Sequence, residues 1–249
     1  MSGHSKWSTI KRQKGVNDSK RSAMFTKVAR EIAVAARAGG GDPDANYRLR
    51  LAIEKARAIN MPADNIKRSI EKATGGGDDV QYEEIVYEGY GPGGVAVLVE
   101  AATDNRNRTA AEVRSIFAKT GGQLVGSGAV AWQFEARGLI TVARDDVDAD
   151  EIALAAIDAG AADVDTEADP IEIYTEPGDL EAVRKALDVA GVNVESAENA
   201  MLAKQTVSLD ADHVRKAMRL VELLEDLEDV QRVTANVDIP EELLAELAG

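Results

Sequence analysis

The sequence predicts an α+β protein: an N-terminal three-helix bundle followed by two α+β domains, one of them a ferredoxin-like βαββαβ domain inserted in the other. Three observations lead there. Apolar residues recur at helical spacing up to about residue 74, and the period then shifts to short strands alternating with helices. Glycine triplets at 39–41 and 75–77 punctuate the first part. Beyond residue 137 the elements run β, α, β, β, α, β without interruption, and a later helix and strand remain over to complete the segment before them. The expected parts are a basic arm and bundle over 1–79, a split α+β domain over 80–136 and 205–249, and an inserted domain over 137–204.

Residues 1–17 are polar and basic without a period. From Asp18 or Ser19, either of which can cap, Phe25, Val28, Ala29, Ile32 and Ala36 make a helical stripe, with Lys20, Lys27, Arg30 and Arg37 on the opposite face. Asp42-Pro43 is expected to open the second helix, whose stripe is Leu49, Ala52, Ile53, Ala56 and Ile59. Pro62 opens the third, carried by Ile66 and Ile70.

"EEIVYEGYGPGGVAVLVEAAT" then reads as strand, glycine turn, strand, and "RNRTAAEVRSIFAKTGG" as a capped helix with Ala110, Val113, Ile116 and Phe117 facing in. "GAVAWQFEA" and "GLITVAR" are expected as two strands. Next come a helix over Ala149–Ala159, strands over Ala162–Glu167 and Pro170–Thr175, a helix over Leu180–Ala190 and a strand over Val192–Asn199. A strand at Met201–Leu209, a helix over Ala211–Asp226 and a strand over Val230–Val237 are expected to complete a second βαββαβ. Val183-Arg-Lys-Ala186 and Val214-Arg-Lys-Ala217 open the two closing helices alike. The alternative is two sequential domains ending in a ragged hairpin.

Composition narrows function. With no Cys and only His4 and His213, disulfides, Cys-based metal sites and thiol catalysis are excluded, and no cofactor or metal site is expected. No apolar run reaches the roughly 18 residues of a membrane span. A secretory signal lacks its apolar stretch; a transit peptide is the weaker alternative to a cytoplasmic location, because the basic stretch runs directly into a patterned helix. No nucleophile–base pair or metal-ligand spacing marks an enzyme, and no small-molecule substrate is expected.

The net charge of −15 is unevenly placed. Residues 1–79 carry 16 Lys/Arg against 9 Asp/Glu, net +7, leaving 13 against 35, net −22, for the remainder. Such asymmetry points to a polyanionic partner for the basic part, with the acidic body orienting it. The arm and first helix offer His4, Lys6, Trp7, Lys11, Arg12, Lys14, Lys20, Arg21, Lys27 and Arg30, with Trp7 available to stack. A merely solvated charge run is the bland alternative.

"GYGPGG" (89–94) looks like a phosphate loop, but a strand follows it instead of a helix N-terminus, so a hairpin turn is expected. In "TDNRNRT" (103–109) an Asp or Asn caps the helix, while Arg106 and Arg108 either pair with carboxylates or contact an anion. His213 reads as a surface residue.

"SGHSKWSTIKRQKG", "NMPADNIKRSIEKATG", "YEGYGPGGVAVLVEAATDNRNRTAAEVRSIF" and "GAVAWQFEARGLI" together resemble the YebC/PmpR family over essentially the whole chain. The resemblance implies a helical bundle with two α+β domains, no catalytic activity and no required cofactor. Members are described as DNA-binding transcriptional regulators, and others, including a mitochondrial translational activator, act on the ribosome and relieve stalled translation. It centres the contact surface on His4, Lys6, Trp7, Lys11, Arg12 and Lys14, continuing to Lys20, Arg21, Lys27 and Arg30. The expected function is therefore a non-enzymatic nucleic-acid-binding regulator, foremost a DNA-binding transcriptional regulator. A ribosome-associated factor contacting rRNA or tRNA is the alternative, and a protein-interaction module using the acidic domains is a third. No recognition-helix pattern for the major groove is visible. The oligomeric state is open between monomer and weak dimer.

Overall fold

The computed structural model describes residues 18–75, 81–144, 148–240 and 242–243. Its contacts divide the chain into two compact units: Phe134–Leu202, and a larger one made from the chain before and after that segment.

The larger unit begins with helices α1 (Asp18–Gly39), α2 (Tyr47–Ala58) and α3 (Ala63–Thr74). They close around Val28, Ile32, Ala35, Leu49, Ala52 and Ile66. The second helix does not open at Asp42-Pro43. Asn46 caps it instead, and the residues between form a turn. The Asn46 Oδ1 accepts the Leu49 N–H at 3.1 Å, while its amide nitrogen donates to the Ala35 and Gly40 carbonyls, each at 2.8 Å. One buried side chain thus caps one helix and closes the end of another, which a proline three residues earlier cannot do.

Strands β1 (Glu83–Tyr90) and β2 (Ala96–Thr103) form an antiparallel hairpin through a 3₁₀ turn at Pro92–Gly94. Glycine is required in this segment. Gly93 has φ of 75°, a left-handed value. A Cβ on Gly89 would lie 2.4 Å from the Phe117 ring. Helix α4 (Arg106–Lys119) follows, capped by Asn105, and buries Val113 and Phe117. The three-residue strand β3 (Gln123–Val125) pairs with β1.

The segment expected as strand "GAVAWQFEA" behaves differently. The buried Glu88 carboxylate accepts the N–H groups of Gly128, Val130 and Ala131 at 2.6–2.9 Å. Those donors are then lost to any sheet ladder. A 3₁₀ turn at Ala131–Gln133 results, and one continuous strand β4 (Phe134–Val142) replaces the two expected.

The smaller unit continues with α5 (Ala149–Asp158), β5 (Asp163–Asp165), β6 (Ile171–Thr175), α6 (Leu180–Val189) and β7 (Val194–Ala203). Its sheet order is β5-β6-β4-β7, the ferredoxin-like arrangement, with β6 antiparallel to both β4 and β5. Ile140, Ile171, Ile173, Leu180, Val183 and Leu187 are fully buried in it.

Back in the larger unit, the expected strand 201–209 shrinks to β8 (Val207–Ser208), because β7 already extends to Ala203. Helix α7 (Ala211–Glu225), capped by Asp210, lays Val214, Ala217, Met218, Val221 and Leu224 against Val113 and Phe117. Each large apolar side chain so covered contributes about 1.5–3 kcal/mol. The expected strand 230–237 divides into β9 (Val230–Ala235) and β10 (Val237–Asp238). Asn236 lies between them, accepting the Ala96 N–H at 2.8 Å and donating to the Gln133 side chain at 3.0 Å. The sheet order is β3-β1-β2-β9, with a separate parallel β8-β10 pair. Its elements run ββαβ and then αβ, so the hairpin precedes the first helix and a second βαββαβ is not formed. Among the described residues no helix is long and apolar enough to cross a membrane.

Candidate nucleic-acid interface

His4, Lys6, Trp7, Lys11, Arg12 and Lys14 lie outside the described residues, as does the side chain of Lys20. Arg21 is exposed on the first turns of α1. Two other expected contacts point inward. Lys27 donates to the Glu225 carbonyl. Arg30, only 7% exposed, donates from Nη1 to the Asp229 carboxylate and the Glu228 carbonyl, and from Nη2 to Glu228 Oε1 at 2.8 Å. The helical wheel placed Arg30 opposite the apolar stripe, and it is. That second face of α1 meets the loop before β9 instead of water. The two terminal nitrogens of Arg30 are therefore committed to this junction, and Lys27 is occupied by a backbone carbonyl.

Asp229 is the hub of this junction. Its Oδ2 accepts from Thr103 at 3.0 Å, Arg108 at 2.7 Å and Thr109 at 2.5 Å, while Arg30 holds Oδ1. Burial pushes its carboxyl up, but the Thr109, Arg108 and Thr103 donors and the Arg30 charge outweigh it and hold the group below its ordinary range. Glu88 is held down in the same net sense, its burial outweighed by neutral backbone amides.

The "TDNRNRT" loop serves this hub. Arg108 joins Asp104 at 2.7 Å as well as Asp229, and the two carboxylates raise its already high pKa. Arg106 is exposed and faces Glu83 at 3.4 Å. Carboxylates thus partner both guanidiniums, the ion-pair alternative of the two that the sequence left open. His213 is half-buried and donates its backbone N–H to the Asp210 carboxylate at 2.9 Å. The role of Asp229 was invisible in sequence, since Arg30 lies 199 residues away.

A second set of cations faces outward. Between α1 and α3 runs a groove of about 410 Å³. Phe25, Ala29, Ala33 and Met61 give it an apolar lining, Arg37, Arg68 and Lys72 add three cations, and among the described residues no carboxylate lines it. All three cations are exposed and none pairs with a described residue. Arg30 also lines the groove, its guanidinium 5.3 Å from the centre of the Tyr82 ring, and its buried Nε–H has no hydrogen-bond partner. Arg68 and Lys72 were readable as an i, i+4 basic pair on a helix, but the groove itself was not.

A helical bundle with a cation-lined groove, joined to a split α+β sheet that carries a ferredoxin-like insert, is a specific architecture. Residues 5–76 match the family described as "TACO1/YebC protein N-terminal domain", and residues 82–237 that described as "TACO1/YebC second and third domain". The chain belongs to the TACO1/YebC family. A "Probable transcriptional regulatory protein" of Rubrobacter xylanophilus is 54% identical over the full length of both chains. One of the same name from Roseiflexus castenholzii is 56% identical, covering 98% of this chain and 97% of its own. The crystal structure of a conserved hypothetical protein from Aquifex aeolicus superposes with a TM-score of 0.85 at 46% identity, over 91% of this chain and 94% of that one.

Proposed function

We propose that this protein is a non-enzymatic, cytoplasmic regulator of gene expression that binds nucleic acid through its N-terminal arm and helical bundle, acting as a DNA-binding transcriptional regulator. The observation that carries the reading is charge segregation: in an acidic protein of net charge −15, residues 1–79 are net positive, and Arg37, Arg68 and Lys72 are exposed on the bundle with no carboxylate partner among the described residues. The names of its relatives, "Probable transcriptional regulatory protein", support the regulatory part of the reading. The contact residues are His4, Lys6, Trp7, Lys11, Arg12, Lys14, Lys20 and Arg21, which grip the phosphate backbone, while the acidic charge of the remaining sequence disfavours other modes of approach.

A second reading, a ribosome-associated factor contacting rRNA or tRNA, is favoured by the groove, whose apolar lining suits an unpaired base better than a duplex. Sedimentation of ribosomes with the bound protein, competed with duplex DNA, separates the two. Release by competitor supports the promoter reading, and resistant co-sedimentation supports the ribosome. Charge reversal at Lys11, Arg12 and Lys14 is expected to abolish binding of either polyanion. Unchanged affinity in that variant defeats the arm as anchor. Binding that neutralises about six phosphates should weaken on the order of 10³-fold between roughly 50 and 200 mM salt.

A further inference from the structure

We propose that the α1–α3 groove holds an unpaired nucleotide of a single-stranded nucleic acid, its base between the two helices and its flanking phosphates on Arg37, Arg68 and Lys72. The inference rests on the nucleic-acid reading and adds a strand preference to it.

Three features of the groove select this occupant. Among the described residues its charged lining is cationic, in a chain of net charge −15, which favours an anionic ligand. Its volume of about 410 Å³ lies at the small-ligand end, where a bound group is nucleotide-sized; a docked amphipathic helix needs a longer trough. Its apolar lining can cover a base that has left its stack, whereas a duplex presents only phosphates and groove edges to such a surface. Two polar groups sit ready beside the apolar ones. The Arg30 Nε–H is a buried donor without a partner, and an unmet donor of this kind is costly to leave so. The Asn65 side chain, also on the lining, has no partner among the described residues and can address a base edge. The Tyr82 ring, held against the Arg30 guanidinium, supplies an aromatic face.

The groove is continuous with the rest of the basic surface, because Arg21, Phe25, Ala29, Ala33 and Arg37 succeed one another along α1. A strand held by the arm at one end of α1 can thus place a nucleotide in the groove further along.

The test uses the full chain, a fluorescein-labelled oligouridylate carrying one 2-aminopurine, and a duplex of equal length, with anisotropy and 2-aminopurine emission as readouts. Ala33→Trp fills the groove without changing charge. It is expected to lower single-strand affinity about tenfold, the size of one lost stacking contact, with duplex affinity changed less than about twofold. Arg68→Glu with Lys72→Glu, at exposed positions that do not challenge folding, is expected to lower single-strand affinity more than duplex affinity. Emission of 2-aminopurine should change on binding to the unsubstituted chain and not to Ala33→Trp. Equal loss on both nucleic acids, or emission indifferent to binding, overturns the groove inference and leaves the arm reading intact. Failure of the unsubstituted chain to bind either nucleic acid overturns both. Capture of an acidic amphipathic peptide by the groove, with no single-strand preference, also overturns the inference. Repeating the titration with the deoxy oligonucleotide tells whether the sugar matters.

Discussion

Arg30 and Arg68 belong to the same small bundle, yet their guanidiniums have opposite fates. Arg30 is buried and tied to Asp229 and Glu228, holding α1 against the loop that leads into β9. Arg68 stands in water beside an apolar groove with no described carboxylate near enough to pair. The difference teaches that basic residues on one amphipathic pattern divide into fasteners and contacts only when the third dimension is known. A fastener is recognised by how much is lost when its partner is removed. A contact is recognised by how little the fold notices its replacement.

The comparison breaks most sharply at the hub. Asp229→Ala strands two arginines, one of them buried, and is expected to destabilise the fold by about 3–5 kcal/mol in urea unfolding. Arg68→Glu should shift the same curve by less than about 0.5 kcal/mol. A large effect at Arg68 would erase the distinction. Glu88→Gln, which keeps the shape but replaces a charged acceptor of three amides, should fall between them at about 1–3 kcal/mol. Acid then sharpens the contrast. Asp229 and Glu88 are held below their ordinary values of 3.8 and 4.5, so their stabilisation is full at neutral pH and above those values. It is lost as pH falls through the lower folded values. Stability should therefore decline below about pH 4, and Asp229→Asn should show a shallower acid limb than the unsubstituted chain. Smallest of all, Arg106→Ala removes an exposed pair with Glu83 and should cost about 0–1 kcal/mol.

Much of the fold was written locally. Pro62 and Gly75 bracket α3, Asp210 caps α7, and the βαββαβ run of the insert follows from period alone. What escaped was written at a distance or in too few residues. Gln123–Val125 is too short to display an alternation. The expected strand before β4 is undone by a carboxylate some forty positions earlier, Glu88, which takes its amides. Asn46 starts α2 because Ala35 and Gly40 are within its reach, a fact of packing that Asp42-Pro43 does not reveal. The candidate site divides the same way. The excess of cations was legible as composition, and Arg37 was legible as a member of the basic face. The burial of Arg30 and the recruitment of Arg68 and Lys72 depend on which helices meet.

The neck of the insertion carries a consequence for modularity. Before the chain departs at Phe134 and after it returns at Ala203, the Gln133 carbonyl already accepts the Lys204 N–H at 2.9 Å, and Lys204 Nζ reaches the Trp132 carbonyl at 2.9 Å. The host therefore holds the two cut ends together by its own hydrogen bonds. Loop-closure entropy grows only slowly with the length of what is inserted, so such a doorway tolerates cargo of many sizes. A host closed by a short glycine-serine turn in place of Phe134–Leu202, or one carrying a foreign domain there, is the natural way to ask which of the two units does the regulating.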